Sequence, residues 1–355
     1  MLLEKTISRI TVLDQEAMVK ARQRVDSLIK PPGSLGRLEE LAVRLAGITG
    51  NPRTTLGDRA VIVMAGDHGV CREGVSAAPS EVTCQMLPAM VGGVAGIGVL
   101  ARLAGARLVV VDVGVACPVD IPGVISKKIR AGTGNIARGP AMSRDEAVAA
   151  LEAGIQVALE QIDSGAGVLA LGDMGIGNTT PSSAILSVLA GLSPEKATGR
   201  GTMVNDQILA NKTRAVAGAI EVNRPDPSDG LDVLAKVGGL EIAGLAGVVL
   251  AAAAGRVPVL IDGFITTAAA MIAAAIKPEV KDFIIASHLS GEQGHRLMLD
   301  HLGLRPMLHL DMRLGEGTGA VLAMQLLEAA TRIANEMASF DEAGVSDLDE
   351  DKIAK

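Results

Sequence analysis

One carboxylate stands between glycines in Leu314-Gly315-Glu316-Gly317-Thr318-Gly319, after the apolar run Met307-Leu308-His309-Leu310 and before an apolar helical stretch. Flanking glycines expose the acid and leave room for a ligand beside it, so Glu316 is suited to accept a proton. On local sequence alone, an acid at a helix start that interacts with the macrodipole is the commoner use. A second segment runs Gly172-Asp173-Met174-Gly175-Ile176-Gly177-Asn178-Thr179-Thr180-Pro181-Ser182-Ser183. Thr179 or Thr180 can cap the helix that follows, and Pro181 suits its first position. A plain strand-to-helix turn explains the cap and the proline. It does not explain three glycines, Asn178 and four hydroxyl residues together. A helix start with free N–H groups and hydroxyls binds phosphate, and anion binding is the reading favoured here. The P-loop lysine is missing, and the glycine order is not the dinucleotide fingerprint G-x-G-x-x-G.

Cations follow in Gly199-Arg200-Gly201-Thr202-Met203-Val204-Asn205-Asp206 and at Lys212. Either Arg200 or Lys212 can neutralise a phosphate, although a solvated surface charge is the commoner fate of one such residue. The histidines of Ser287-His288-Leu289-Ser290-Gly291-Glu292-Gln293-Gly294-His295 do not share a helical turn, and no cysteine or third histidine joins them within the segment. Hydrogen bonding is expected of them rather than metal binding, and the same holds for Asp67-His68. No metal and no cofactor are expected.

These motifs need a frame, and six short apolar runs supply it: residues 60–64, 108–111, 168–171, 258–261, 283–285 and 307–310. Each ends at Gly, Asp or Ser. Uninterrupted runs of this length suit strands buried on both faces. Helical stretches between them, such as 144–162 and 320–337, are long enough for right-handed crossovers. The pattern predicts a doubly wound, mainly parallel six-stranded α/β sheet. In such sheets ligands bind outside the carboxyl ends of the strands, where nearly every polar, glycine-rich motif of this chain falls. The first 50 residues read as helical with a break at Pro31-Pro32-Gly33, and the tail continues a helix. Residues 1–50 and 329–355 are therefore expected to form a small helical domain, and 51–328 the catalytic one.

Composition narrows the chemistry. Among 355 residues there is no Trp, no Tyr and only three Phe, so a planar ligand must be held by aliphatic side chains, Met and backbone. A net charge of −7 and the lack of a long basic stretch argue against nucleic-acid binding. Cys71, Cys84 and Cys117 are few and unpatterned, which fits a reducing cytoplasm better than a disulfide framework. The charged N-terminal segment lacks an apolar core, so it is not expected to be a signal peptide. The longest apolar run, Ala243 to Gly255, is too short for a membrane span and reads as a tightly packed buried helix.

Taken together, the segments resemble one family. Lys30-Pro31-Pro32-Gly33-Ser34-Leu35-Gly36-Arg37-Leu38 is similar to its N-terminal signature. MAGDHGV (64–70), GTGNIARG (132–139), GDMGIGNTT (172–180), GRGT (199–202), LIDGFI (260–265), SHLSGEQGH (287–295) and LGEGTGA (314–320) are similar to its later blocks, in order. Any one block is weak evidence, but the ordered set is specific, and it runs from about Leu13 to Val345. The family is that of the nicotinate-nucleotide–dimethylbenzimidazole phosphoribosyltransferases. The resemblance implies transfer of phosphoribose from nicotinate mononucleotide to 5,6-dimethylbenzimidazole, giving α-ribazole 5′-phosphate and nicotinate for the lower nucleotide loop of cobalamin. It also implies a Rossmann-like sheet with a small helical domain built from both termini, and a homodimer.

Residue by residue, the resemblance makes Glu316 the catalytic base. It gives Asp173 a secondary role, where related members often carry Glu. It puts phosphate and ribose along Gly175, Gly177, Asn178, Thr179, Thr180, Gly201, Lys212, Ser290, Gly291 and Gly315. It puts the acceptor base near Ser80, Gln85 and Met86, with Met174 and Leu314 as further aliphatic walls. Two other classes fit the sheet: an NAD(P)-dependent oxidoreductase, and a non-catalytic nucleotide- or benzimidazole-binding protein. The first lacks an early strand leading into G-x-G-x-x-G, and the intact glycine loop around Glu316 argues against the second.

Overall fold

A computed structural model describes residues 1–199 and 205–346. The chain divides into two compact units: Met1–Thr11 with Asp58–Ala323, and Val12–Gly57 with Met324–Lys355. The first eleven residues, expected in the helical part, thus go with the larger unit. There the Leu3 N–H is held by Glu152 at 2.9 Å.

The larger unit is built on six parallel strands: β1 (Asp58–Gly66), β2 (Ala106–Gly114), β3 (Val124–Ser126), β4 (Ala166–Met174), β5 (Val259–Ile261) and β6 (Ile284–Ala286). Their order is β3-β2-β1-β4-β5-β6. Ala60 to Ala65 of central β1 are wholly buried, as an uninterrupted apolar strand covered on both faces must be. The helix Leu240–Ala254 is buried at every position, and it packs on the helix Arg144–Asp163 through Gly244 and Gly247. Ala and Gly in these helices allow close backbone approach, which builds a dense core almost without rings.

Four expectations need correction. The run 307–310 is not in the main sheet. Leu308–His309 (β8) pairs only with His288–Leu289 (β7), and the sixth main strand is β3. At three partly exposed residues, β3 is too short to show an apolar run. Phe283 closes a 3-10 turn, and the strand begins one residue later. Neither threonine caps the helix Thr179–Ala190; Asn178 is its N-cap residue, and Pro181 is its third residue rather than its first. Cys84 and Cys117 are joined in a disulfide, 33 residues apart in sequence, while Cys71 is free. Sequence spacing carries no trace of that pairing, because the turn after β2 brings Cys117 to the helix Glu81–Val91 that holds Cys84.

The segment Glu81–Ala104 is long and apolar enough to cross a membrane by length and composition. It is broken at Gly92–Ala95 into helices of 11 and 9 residues, each shorter than a span requires.

The smaller unit is helical where it is described, with helices Gln15–Asp26 and Arg37–Thr49. Its loop at Pro31–Gly36 is held by a buried ion pair, Lys30 to Glu39 at 2.9 Å, whose carboxylate also accepts the Leu35 N–H.

Candidate active site

The strand order reverses between β1 and β4, and parallel sheets open a crevice at such a point. Residues at the carboxyl ends of β4 and β5 line a cavity of about 550 Å³, the size of a small-ligand site. The turn after β1, Gly66-Asp67-His68-Gly69, enters a 3-10 turn over Gly69–Glu73 instead of a helix, so it is no dinucleotide turn.

Glu316 reaches the cavity through an unusual backbone. Gly315, Glu316 and Gly317 all have positive φ, at 86°, 63° and 93°. Left-handed geometry costs a non-glycine residue about 1–2 kcal/mol. Opposing it, Asp262 at the end of β5 accepts the N–H groups of Gly317 (3.2 Å), Gly319 (2.7 Å) and Ala320 (3.0 Å). Even at about 1 kcal/mol per bond, three bonds outweigh the strain. Below the loop, a Cβ at Gly172 would run into the Glu316 carbonyl, so β4 needs glycine there. The Glu316 carboxylate is 5% exposed, lines the cavity and accepts the Ile97 N–H at 3.1 Å. Burial raises its pKa above the ordinary value, opposed by that hydrogen bond.

Asp173, the penultimate residue of β4, lines the same cavity and accepts from the Asn178 side chain at 2.9 Å. Burial pushes its pKa up to about 7, aided by the charges of Glu241 and Glu316 and opposed by Asn178 and His68. Behind it, His68 and Glu241 form a buried pair at 2.8 Å. Burial alone would pull His68 down, but the Glu241 carboxylate outweighs it and carries His68 above its ordinary value.

Gly175, Gly177, Asn178 and Thr179 line the cavity at the start of the helix Thr179–Ala190. Lys212, from the helix Asp206–Asn223, is 1% exposed, lines the cavity and donates to the Gly199 carbonyl at 3.1 Å. Burial lowers its pKa, opposed by Glu292. A buried ammonium beside helix N–H groups is a site for a phosphate dianion.

His288 also lines the cavity, and burial drops its pKa to about 4, so it is neutral near pH 7. His295 lies behind it. The Thr267 hydroxyl is 2.9 Å from His295 Nε2, and the Ser290 N–H donates to Nδ1 at 2.9 Å. That pairing fixes the Nε2–H tautomer, since the same Thr267 hydroxyl donates to the Gly263 carbonyl. Among the described residues no cluster of three or more His, Cys, Asp or Glu could hold a metal ion.

Of the residues expected in the site, the cavity is lined by Glu316, Asp173, Gly175, Gly177, Asn178, Thr179, Lys212, Ser290, Gly315, Met86, Met174 and Leu314. Ser80, Gln85, Thr180 and Gly291 are not among its walls. Val82 and Met86 share the helix face that looks inward, and Gln85, one residue before Met86, is turned to solvent. Thr180 is buried in the helix start. The Gly291 N–H is engaged by the Met312 carbonyl at 2.9 Å. Gly201 and Arg200 lie outside the described residues. Sequence reading did not place His288 or Arg313 among the lining residues, and it gave no role to Asp262, which holds the Glu316 loop from behind the wall. Asp262 ends an apolar run and precedes a glycine, the one signal that would have found it.

A phosphoribosyltransferase family profile matches residues 10–345. Nicotinate-nucleotide–dimethylbenzimidazole phosphoribosyltransferase of Desulforudis audaxviator is 57% identical over 350 residues, covering 98% of this chain and 99% of that protein. The protein of the same name from Geobacter sulfurreducens is 53% identical over 349 residues, with 98% and 99% covered. The crystal structure of nicotinate-nucleotide–dimethylbenzimidazole phosphoribosyltransferase from Thermus thermophilus superposes with a TM-score of 0.90 at 48% identity, covering 95% of this chain and 100% of that one.

Proposed function

The chain belongs to the nicotinate-nucleotide–dimethylbenzimidazole phosphoribosyltransferases, and from that membership we propose how its cavity performs the transfer. The enzyme moves phosphoribose from nicotinate mononucleotide to 5,6-dimethylbenzimidazole, releasing nicotinate and forming α-ribazole 5′-phosphate for the cobalamin lower ligand. The donor's phosphate lies at the start of the helix Thr179–Ala190 beside Lys212. The acceptor lies between Met86, Met174 and Leu314, which supply apolar contact where the chain has almost no rings.

The leaving group is a cationic pyridinium, which departs with the C1′–N electron pair as neutral pyridine nitrogen. One benzimidazole nitrogen attacks C1′ from the opposite face, so β becomes α. Positive charge grows on the incoming ring, and the Glu316 carboxylate takes the proton from its other nitrogen. Asp173, protonated or charged near pH 7, tunes the field around that step. The single observation that carries this reading is the Glu316 carboxylate, buried, raised in pKa and lining the cavity that holds the glycine-rich turn and Lys212. The enzyme works as a homodimer. Exposed Val94, Val99 and Leu103 offer an apolar surface that a second copy would cover, and the mass in solution tests this.

Purified protein given nicotinate mononucleotide and 5,6-dimethylbenzimidazole should yield α-ribazole 5′-phosphate, read by chromatography. Binding of both substrates without product would sink the enzymatic reading.

A further inference from the structure

Asp262 is not among the cavity's lining residues and is 1% exposed, yet its two carboxylate oxygens accept three N–H groups of one loop, and Oδ1 stands 3.7 Å from Nδ1 of the cavity-lining His288. Its Oδ1 accepts Gly319 and Ala320, and its Oδ2 accepts Gly317, the residue after Glu316. Asp262 is itself fixed. Its N–H donates to the Thr266 hydroxyl at 2.8 Å, and its carbonyl accepts the Ser287 hydroxyl at 3.3 Å. The loop has no slack around it. A Cβ at Gly319 would strike the His288 ring and the Asp262 carboxylate, and one at Gly317 would press on Val61 and the Leu171 carbonyl.

From this arrangement we propose that Asp262 is a positioning residue for the transfer reaction. It caps the helix Thr318–Glu336 from a distant strand and thereby locks the left-handed turn that aims Glu316 at the acceptor. A helix cap normally comes from the residue just before the helix. Here that position carries no side chain, because Gly317 must meet β4 closely, and the capping carboxylate comes from β5 instead. These bonds sustain one feature, a non-glycine residue held at φ 63°. Without the clamp the glycines on either side of Glu316 free its backbone, and the carboxylate loses its bearing on the benzimidazole N–H. The phosphate contacts at Gly175–Thr179 and Lys212 are anchored on other elements, so donor binding changes far less than turnover even though Gly315 belongs to the clamped loop.

The inference rests on Glu316 being the base, and a double-mutant cycle separates the two claims. Asp262→Asn keeps the size but turns one acceptor into a donor that faces the loop N–H groups. It should lower kcat about a hundredfold, the cost of a misplaced group. The KM for nicotinate mononucleotide should stay within about threefold, since the phosphate contacts at Gly175–Thr179 and Lys212 keep their anchors and a slowed chemical step brings KM close to the donor's dissociation constant. Added to Glu316→Gln, the same change should cost no further activity, because it acts only through the carboxylate already removed. Should Asp262→Asn fail to fold by circular dichroism, Asp262→Ser, which retains one small acceptor, is read in the same way. Multiplying losses, or an unchanged kcat in the single variant, overturns the clamp while leaving the base in place. Near-normal turnover by Glu316→Gln alone overturns the base assignment, and the clamp with it.

Discussion

The Glu316 carboxylate accepts the backbone N–H of Ile97, the second residue of the helix Gly96–Ala104, at 3.1 Å. A helix N-terminus favours an anion, and this one holds one carboxylate oxygen and leaves the other for chemistry. Burial works against it and prevails, so the acid titrates above 4.5. A base must be deprotonated, so the rate falls as pH drops through that raised value. The acid limb of the kcat/KM–pH profile, which reports groups of the free enzyme, should therefore lie above 4.5. A limb at or below the ordinary glutamate value would contradict the burial argument.

Asp173 makes a separate prediction about stability. Its folded pKa, about 7, lies above the ordinary 3.8, so the native state binds the extra proton between those values. Stability from this group is full below about pH 4 and is lost as pH rises toward 7. Asp173→Asn cannot ionise and can still accept from Asn178. Its gain in unfolding free energy over the parent should grow from pH 4 to 7, to at most about 4 kcal/mol, and then level off. Denaturant melts at several pH values measure this, and a gain that shrank with rising pH would reverse the sign of the argument.

The proposed phosphate site depends on Lys212. Lys212→Met fills the same volume without the ammonium, and a charged hydrogen bond of about 1.5–3 kcal/mol corresponds to roughly 10–100-fold in affinity. Nicotinate mononucleotide should bind that much more weakly, by calorimetry. The nucleoside lacking the phosphate should bind the two proteins alike. Equal losses for both ligands would move the phosphate elsewhere.

How far the sequence foretold this structure follows from the range of each signal. Apolar runs marked five of the six main strands, since strands buried on both faces need continuous Val, Ile and Leu. β3 escaped because three half-exposed residues make no run, and Met307–Leu310 misled because its apolar character serves a separate two-stranded pairing. The glycines around Glu316 and after Asp173 were legible as ligand-approach signals, and both segments line one cavity. Asp262 was not legible as a clamp. Its partners lie 55, 57 and 58 residues away, and nothing in local spacing records a long-range cap. Helical phase explains Gln85: motif alignment placed it one residue from Met86, about 100° around the helix and away from the cavity.

The central claim is that Glu316 is the base of the phosphoribosyl transfer, and Glu316→Gln tests it most directly. The amide keeps the shape and can still accept the Ile97 N–H, but it cannot take the benzimidazole proton. Single-turnover chromatography of α-ribazole 5′-phosphate, alongside calorimetric binding of nicotinate mononucleotide, separates chemistry from binding. The expected result is unchanged donor affinity with the chemical step slowed by about 10²–10⁴-fold. Turnover within a few-fold of the parent enzyme, with the same donor affinity, would contradict the account.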